Sequence, residues 1–319
     1  MESSHILENA LHNPAAVKKR EYKWKKIRQN YVLYLFLLPA VVYILIFHYI
    51  PIYGIQIAFK DFEATQGILG SPWVGWIHFR RFFESYQCFD LIRNTLVLSV
   101  YSLIAGFPMP IILALILNYS TMNRLKKITQ TITYAPHFIS TVVMVGMILV
   151  VFSPTGMVNQ FIKLAGGSPK DFIGNPAVFR HLYVWSSVWK NTGWSCIIYI
   201  ATLAGVNPEL HEAAIVDGAN KINRIWHIDI PSILPTTIIL LILQLGSLMS
   251  IGFEKAFLMQ NSVNLSVSEI ISTYVYKMGI QGAQYSYSTA IGLLNNVINF
   301  LLLITVNKIA SKVSDSSLW

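Results

Sequence analysis

The sequence predicts an all-α membrane protein: six transmembrane helices, with the N- and C-termini both cytoplasmic. Three observations carry that expectation. Only 12% of the 319 residues are charged and 54% are hydrophobic, whereas a soluble domain holds about a quarter charged residues. Mean hydropathy is +0.51. Apolar runs of the roughly 20 residues needed to cross a bilayer as a helix recur six times, and basic residues are spread unevenly around them.

Residues 1–30 form a basic cytoplasmic segment. Lys18, Lys19, Arg20, Lys23, Lys25, Lys26 and Arg28 stand directly before the first apolar run. That is how a cytoplasmic flank is charged, so the net charge of +9 does not call for nucleic acid. The first run, 31–52, is too long for a signal peptide, and no small-residue cleavage site follows it. The other expected spans are 91–117, 128–152, 182–205, 233–253 and 285–307. Pro39, Pro108, Pro110 and Pro136 fall inside them, where a membrane helix tolerates proline because neighbouring helices re-satisfy the backbone. With the N-terminus inside, fourteen basic residues lie on the cytoplasmic side and nine outside, with Lys190 inside a span. The chain thus divides into 1–30, a first helix with its external loop (31–90), a core of five helices (91–310) and a cytoplasmic tail (311–319).

Two external loops have structure of their own. Trp73, Trp76, Phe79, Phe82 and Phe83 in the loop from Lys60 to Asp90 suggest an interfacial helix or belt, which either anchors the protein or meets an external partner. GMVNQFIKLAGG, in the loop 153–181, predicts a short amphipathic helix closed at Gly166 and Gly167. Cys88 and Cys196 match no metal or redox spacing and are expected to be free thiols.

The polar stretch EAAIVDGANKINRIWHIDIP, Glu212 to Pro231, lies between two spans on the cytoplasmic side. Asn207 is placed to cap a helix, with Pro208 at its first position and Glu209 and Glu212 near its positive end. Gly218 supplies a left-handed exit, and a second short helix carrying Ile222, Ile225 and Trp226 should stop before Pro231. Such an element reads either as a docking surface or as a loop folded on its own membrane domain. A DNA-reading helix-turn-helix is excluded by its charge, two basic residues against four acidic ones.

The spacing here, E-A-A, three residues, G, nine residues, I-x-L-P, resembles the signature loop of bacterial ABC importer permeases. The sequence has Glu212-Ala213-Ala214, Gly218 and Ile228-Asp229-Ile230-Pro231, departing only in Ile230 for leucine. Asn94-Thr95-Leu96, Trp189-Lys190-Asn191-Thr192-Gly193, Phe253-Glu254, Thr273-Tyr274-Val275-Tyr276, Tyr285 to Ala290 and Leu318-Trp319 resemble the carbohydrate-uptake branch, within it the LplB/YteP type that takes up complex polysaccharide fragments. The resemblance covers the chain from about Tyr31 on.

It implies a type I importer permease fold in a bacterial cell membrane. It further implies a heterodimer with a second homologous permease, two ATPase subunits that bind ATP and Mg, and an extracellular solute-binding protein that delivers an oligosaccharide. Glu212, Ala213, Ala214, Asp217, Gly218, Ile228 and Pro231 would couple to the ATPase, Glu212 by an ion pair and Gly218 as the bend. No G-x-x-x-x-G-K-[ST] phosphate loop occurs in the chain. ATP hydrolysis would therefore belong to the separate subunits, leaving this one without catalytic residues, cofactor or metal of its own.

Candidates for the substrate pathway come from polar faces at membrane depth. Gln244, Ser247, Ile251 and Glu254 recur at helical spacing, as do Ser288, Gly292, Asn295 and Asn299. These faces serve either helix–helix contact or the lining of a wet cavity. In the fourth span Trp185, Trp189 and Thr192 share a face beside Lys190 and Asn191. Tryptophan stacks on sugar rings, and an intramembrane lysine marks a site unless it snorkels to the interface. Outside charges, nine basic against seven acidic, add little to the idea of an acidic glycan. A self-sufficient ion-coupled transporter is the alternative. It wants intramembrane carboxylates and an internal repeat, and only Glu254 approaches membrane depth.

Overall fold

The computed structural model describes Lys26, Gln29 and residues 30–313; the basic residues 18–25, Arg28 and the tail from 314, with Leu318 and Trp319, lie outside the described residues. Every named element among the described residues is helical, and extended pairing is limited to one isolated bridge between Lys60 and Trp73. The chain divides into a unit ending at Gln56 and a second one from Ile57 onward.

The first unit is built on α1 (Tyr31–Ile44), which runs on through a π turn, Leu45–Tyr49. Its sequence is apolar on every face, as a lipid-facing helix requires. Among the described residues, Tyr31–Phe59 is one of four helices long and apolar enough to cross a membrane; the others are Cys88–Asn118, Lys221–Gly246 and Tyr285–Lys312.

The second unit contains α2 (Ile77–Glu84), α3 (Cys88–Gly106), α4 (Pro108–Asn118), α5 (Asn123–Tyr134), α6 (Thr141–Val151), α7 (Met157–Leu164) and α8 (Pro176–Ala204). After them come α9 (Pro208–Val216), α10 (Lys221–Arg224), α11 (Ile230–Gly246), α12 (Phe253–Met259), α13 (Ile271–Tyr276) and α14 (Tyr285–Val313).

Two expected spans differ from straight helices. The run 128–152 is broken: the helices to either side of Ile139 and Ser140 meet at 100°, and they make a fifth span only if counted together. The backbone stays helical through Pro136 and turns extended only at Ile139 and Ser140, and Ser140 starts the second half by accepting the Val143 amide at 3.2 Å. The run 233–253 ends early, because α11 stops at Gly246 and the chain leaves the helix until Phe253. Ser247, Ile251 and Glu254 therefore do not continue the helical face of Gln244. At its other end, the helix expected to stop before Pro231 runs straight through it. A π turn, Ile225–Asp229, shifts the hydrogen-bond register just where proline offers no amide.

α8 is the 29-residue centrepiece, about 43 Å long at 1.5 Å per residue, and packs against α3, α4 and α5. It has the length of a span but not the apolarity of the four above, since Lys190, Asn191 and Ser195 interrupt it. Leu98, Met144, Val145, Phe179, Val184, Ala256 and Met259 form one buried core around it. A second gathers Ala114, Leu117, Cys196, Tyr199, Leu203 and Ile233.

Close approach replaces hydrophobic drive where lipid is the solvent. A Cβ on Gly193 would collide with the Thr133 backbone carbonyl, whereas one on Gly292 would meet nothing within 4 Å. Of the aromatic external loop, Phe79 and Phe82 turn inward on α2 and are buried, while Trp73, Trp76 and Phe83 stay exposed. The helix α7 closes as expected: Gly166 has φ +82° and the Gly167 amide donates to Ile162 O at 2.8 Å. Cys88 and Cys196 are buried free thiols.

Candidate functional site

Two places in the second unit combine exposure, polarity and defined geometry. The first is the helix pair α9–α10. Asn207 Oδ1 accepts the Glu209 amide at 3.1 Å, and Pro208 follows at the first helical position. At the far end the Gly218 amide donates to Ile215 O at 3.0 Å and the Ala219 amide to Ala214 O at 2.8 Å, with Gly218 at φ +80°. This pair of bonds satisfies carbonyls that a helix end otherwise leaves open. Asn220 then caps α10, accepting the Asn223 amide at 2.8 Å.

The helix so fixed shows Glu212, Ala213, Asp217 and Gly218 on its exposed surface, with Ala214 half-buried. Leu210, Ile215, Val216, Ile222 and Trp226 are exposed as well, Val216 by 87%. Ile228 lies half-buried and Pro231 exposed where the pair joins α11.

Beneath the pair is a buried carboxylate that the sequence reading did not single out. Asp229 is fully buried. Tyr119, just past the end of α4, donates to its Oδ2 at 2.6 Å, and His211 of α9 places Nε2 3.5 Å from its Oδ1. Burial first, then this bond to Asp229, pushes the Tyr119 phenol well above its ordinary pKa, so it stays a donor. Arg224 sits over the Tyr119 ring at 5.5 Å. Only the x of I-x-L-P marked this position, and a variable position in a pattern gives no signal.

The second place is a cavity of about 1050 Å³ bounded by α3, α4, α6, α8, α11 and α12. Tyr183, Ser187, Lys190, Asn191, Trp194 and Ile198 line it from α8, at the spacing that puts side chains on one helical face. Gln244 joins from α11, Thr141 from α6, and Gly252 and Lys255 from the segment after α11. Lys190 Nζ donates to Thr141 Oγ1 at 3.4 Å, and Trp194 stacks on His137 with centroids 4.6 Å apart. No aspartate or glutamate is among the lining residues.

The candidate pathway residues thus separate. Lys190, Asn191 and Gln244 meet at the cavity. Trp185 and Trp189 are not among its lining residues, and the Trp185 indole donates to Tyr101 Oη at 3.0 Å. Ser247 caps the end of α11 by donating to Gln244 O at 3.2 Å, and Glu254 is exposed on α12. Asn299 Oδ1 accepts the Met249 amide at 2.9 Å and its Nδ2 donates to Ser250 Oγ at 2.8 Å, while Asn295 is half-buried on the same helix. Lys255, which the sequence placed among external loop charges, is buried at the cavity wall.

Long apolar helices beside a cavity with polar lining residues, together with a capped helix between α8 and α11, fit a solute-transport subunit. The chain belongs to the family of binding-protein-dependent transport system inner membrane components, whose model matches residues 106–315. It is 41% identical over 303 residues to the polygalacturonan/rhamnogalacturonan transport system permease protein YteP of Bacillus subtilis, covering 95% of this chain and 94% of that one. It is 44% identical over 294 residues to protein LplB of the same organism, covering 92% of each. Among solved structures it resembles a chain of a bacterial ABC transporter involved in the import of the acidic polysaccharide alginate. There the TM-score is 0.86 and identity 38%, over 92% of this chain and 99% of that one. The same likeness holds for that transporter in complex with an alginate pentasaccharide-bound periplasmic protein.

Proposed function

We propose that this chain is one of two permease subunits of an ATP-driven importer of oligosaccharides cut from polysaccharides, acidic fragments among them. In this reading the second permease completes the pathway, two ATPase subunits bind and hydrolyse ATP with Mg, and an external binding protein delivers the cargo. The chain crosses the membrane six times with both termini cytoplasmic, α8 serving as a span despite its polar face. Reporter fusions after Ala204 and after Val313 should both report cytoplasm.

The observation that carries the coupling role is α9, closed at both ends by side-chain and backbone bonds while its outer apolar residues stay uncovered. A helix that cannot fray transmits displacement along its axis instead of absorbing it. Leu210, Ile215 and Val216 offer a groove-filling surface and Glu212 an ion pair, so movement of a docked ATPase is passed to α8 and α11. Asp229 beneath would keep the helix from rotating independently of α4.

The test is ATPase activity of the reconstituted four-subunit complex with its binding protein, with and without oligosaccharide. Stimulation by sugar that is abolished by Glu212→Lys supports the reading. Uptake that ignores ATP depletion and stops on collapse of ion gradients sinks it in favour of an ion-coupled carrier.

A further inference from the structure

Lys255 is a cation only 5% exposed. Its ammonium donates to the Tyr183 carbonyl and to Ser187 Oγ at 2.5 Å, and lies 4.6 Å from the Tyr183 ring centroid. All three partners are neutral. The ion pairs among the described residues are Arg80 with Glu84, His211 with Asp229 and Lys277 with Glu269, so no carboxylate answers Lys255. Its sequence neighbour Glu254 is exposed on α12 and forms no such pair.

A second cation shares the wall. Lys190, half-buried, lines the same cavity and stands three residues along α8 from Ser187, whose hydroxyl Lys255 meets. A buried ammonium without a counter-charge is costly, and a like charge nearby adds to the cost. Pinning α12 onto α8 does not require it. Tyr183 Oη already donates to Gly252 O at 3.2 Å across that junction, and a neutral donor could reach the Tyr183 carbonyl as well.

Two cations at a cavity of about 1050 Å³ with no acidic lining residue suit the binding of an anion that enters it. Neutral hydroxyls would be served by Asn191, Gln244 and Thr141, and a sugar face by Trp194. A charged substituent gains more from the two ammonium groups than a hydroxyl does.

We propose that Lys190 and Lys255 form an anion subsite that holds the carboxylate of a uronate oligosaccharide on its way through the cavity. The proposal rests on the importer reading and narrows its cargo to acidic sugars.

The test is uptake by cells carrying the complete transporter, using trigalacturonate and its methyl ester as the probes. The two share one sugar skeleton, and esterification removes the negative charges. Wild type should favour the acid, and Lys190→Gln and Lys255→Met should each lower the acid-to-ester ratio about tenfold, the value of a hydrogen bond to a charged group. Lys255→Arg, which keeps the charge, should retain the preference. The amount of each variant in the membrane is measured alongside; should Lys255→Met not accumulate, Lys190→Gln and Lys255→Arg still decide. A ratio unchanged in Lys190→Gln, or acid and ester falling together in every variant, overturns the subsite and assigns the lysines to structure or to a carboxylate of the second permease. If wild type imports both probes equally, the subsite fails and the importer stands. If it imports neither, the cargo reading fails and the subsite falls with it.

Discussion

The phenol of Tyr119 donates to the buried carboxylate of Asp229 at 2.6 Å, and this contact ties the end of α4 to the foot of α11 beneath the exposed helix pair. Tyr119→Phe removes the donor and leaves Asp229 with His211, 3.5 Å away. Stripping a hydrogen bond from a buried charged group costs about 1.5–3 kcal/mol. The variant should unfold at a lower temperature in detergent, and Asp229→Asn, which keeps an acceptor and the shape, should lose less. A Tyr119→Phe protein that melts like wild type shows the contact to be idle.

Gly218 sits at φ +80° with nothing within 4 Å of where a Cβ would stand, so its constraint lies in the backbone and not in space. A side chain in that region costs roughly 1–2 kcal/mol, least for asparagine and most for a β-branched residue. Uptake should fall in the order glycine, asparagine, alanine, valine at equal membrane abundance. An order that follows side-chain volume in place of left-handed tolerance would point to a steric role at the docked surface.

Gly193 and Gly292 look alike in sequence and differ in surroundings. Gly193 faces the Thr133 carbonyl with no room for a methyl group, whereas Gly292 has open space. Gly193→Ala should push α8 off α5 and destabilise by about 1–3 kcal/mol, the usual cost of overpacking. Gly292→Ala should be close to neutral. Thermal unfolding of the two purified variants compares them directly.

Asn299 holds the non-helical segment after α11 through the Met249 amide and the Ser250 hydroxyl. Asn299→Leu fits the membrane better by hydropathy yet orphans a buried backbone amide, at a cost of about 1–3 kcal/mol. It should therefore be less stable than wild type. Equal stability would mean that the segment finds other partners.

Trp194 lines the cavity and Trp189 does not. Trp194→Ala should reduce sugar-stimulated ATPase activity more than Trp189→Ala, with sugar-independent hydrolysis unchanged in both. The reverse order would move the pathway to the Trp185–Trp189 face.

Much of this architecture was legible in the residues. Hydropathy located the apolar runs because membrane helices must satisfy their backbones internally. Asn207, Pro208 and Gly218 announced their cap and exit because those roles are local. The breaks were not legible, since run length alone does not reveal a 100° bend at Ile139–Ser140 or the end of a helix at Gly246. Pro231 misled for a related reason: proline forbids one hydrogen bond, and a π turn accommodates its loss without ending the helix. The cavity face was half read. Lys190, Asn191 and Gln244 announce themselves as polar residues at depth, but Lys255 needed the chain to fold back on Tyr183 before it became an interior cation.

The uncovered surface of α9 and α10 has a consequence for the life of the molecule before it ever moves a sugar. Leu210, Ile215, Val216, Ile222 and Trp226 are all exposed on these two short helices. Exposed apolar patches of this kind are what chaperones and proteases seize. On the proposed docking role, a copy made without its ATPase should be degraded faster than a paired one, which pulse-chase labelling with and without the ATPase would read. The same residues that would transmit force in the finished machine would then keep its parts in proportion.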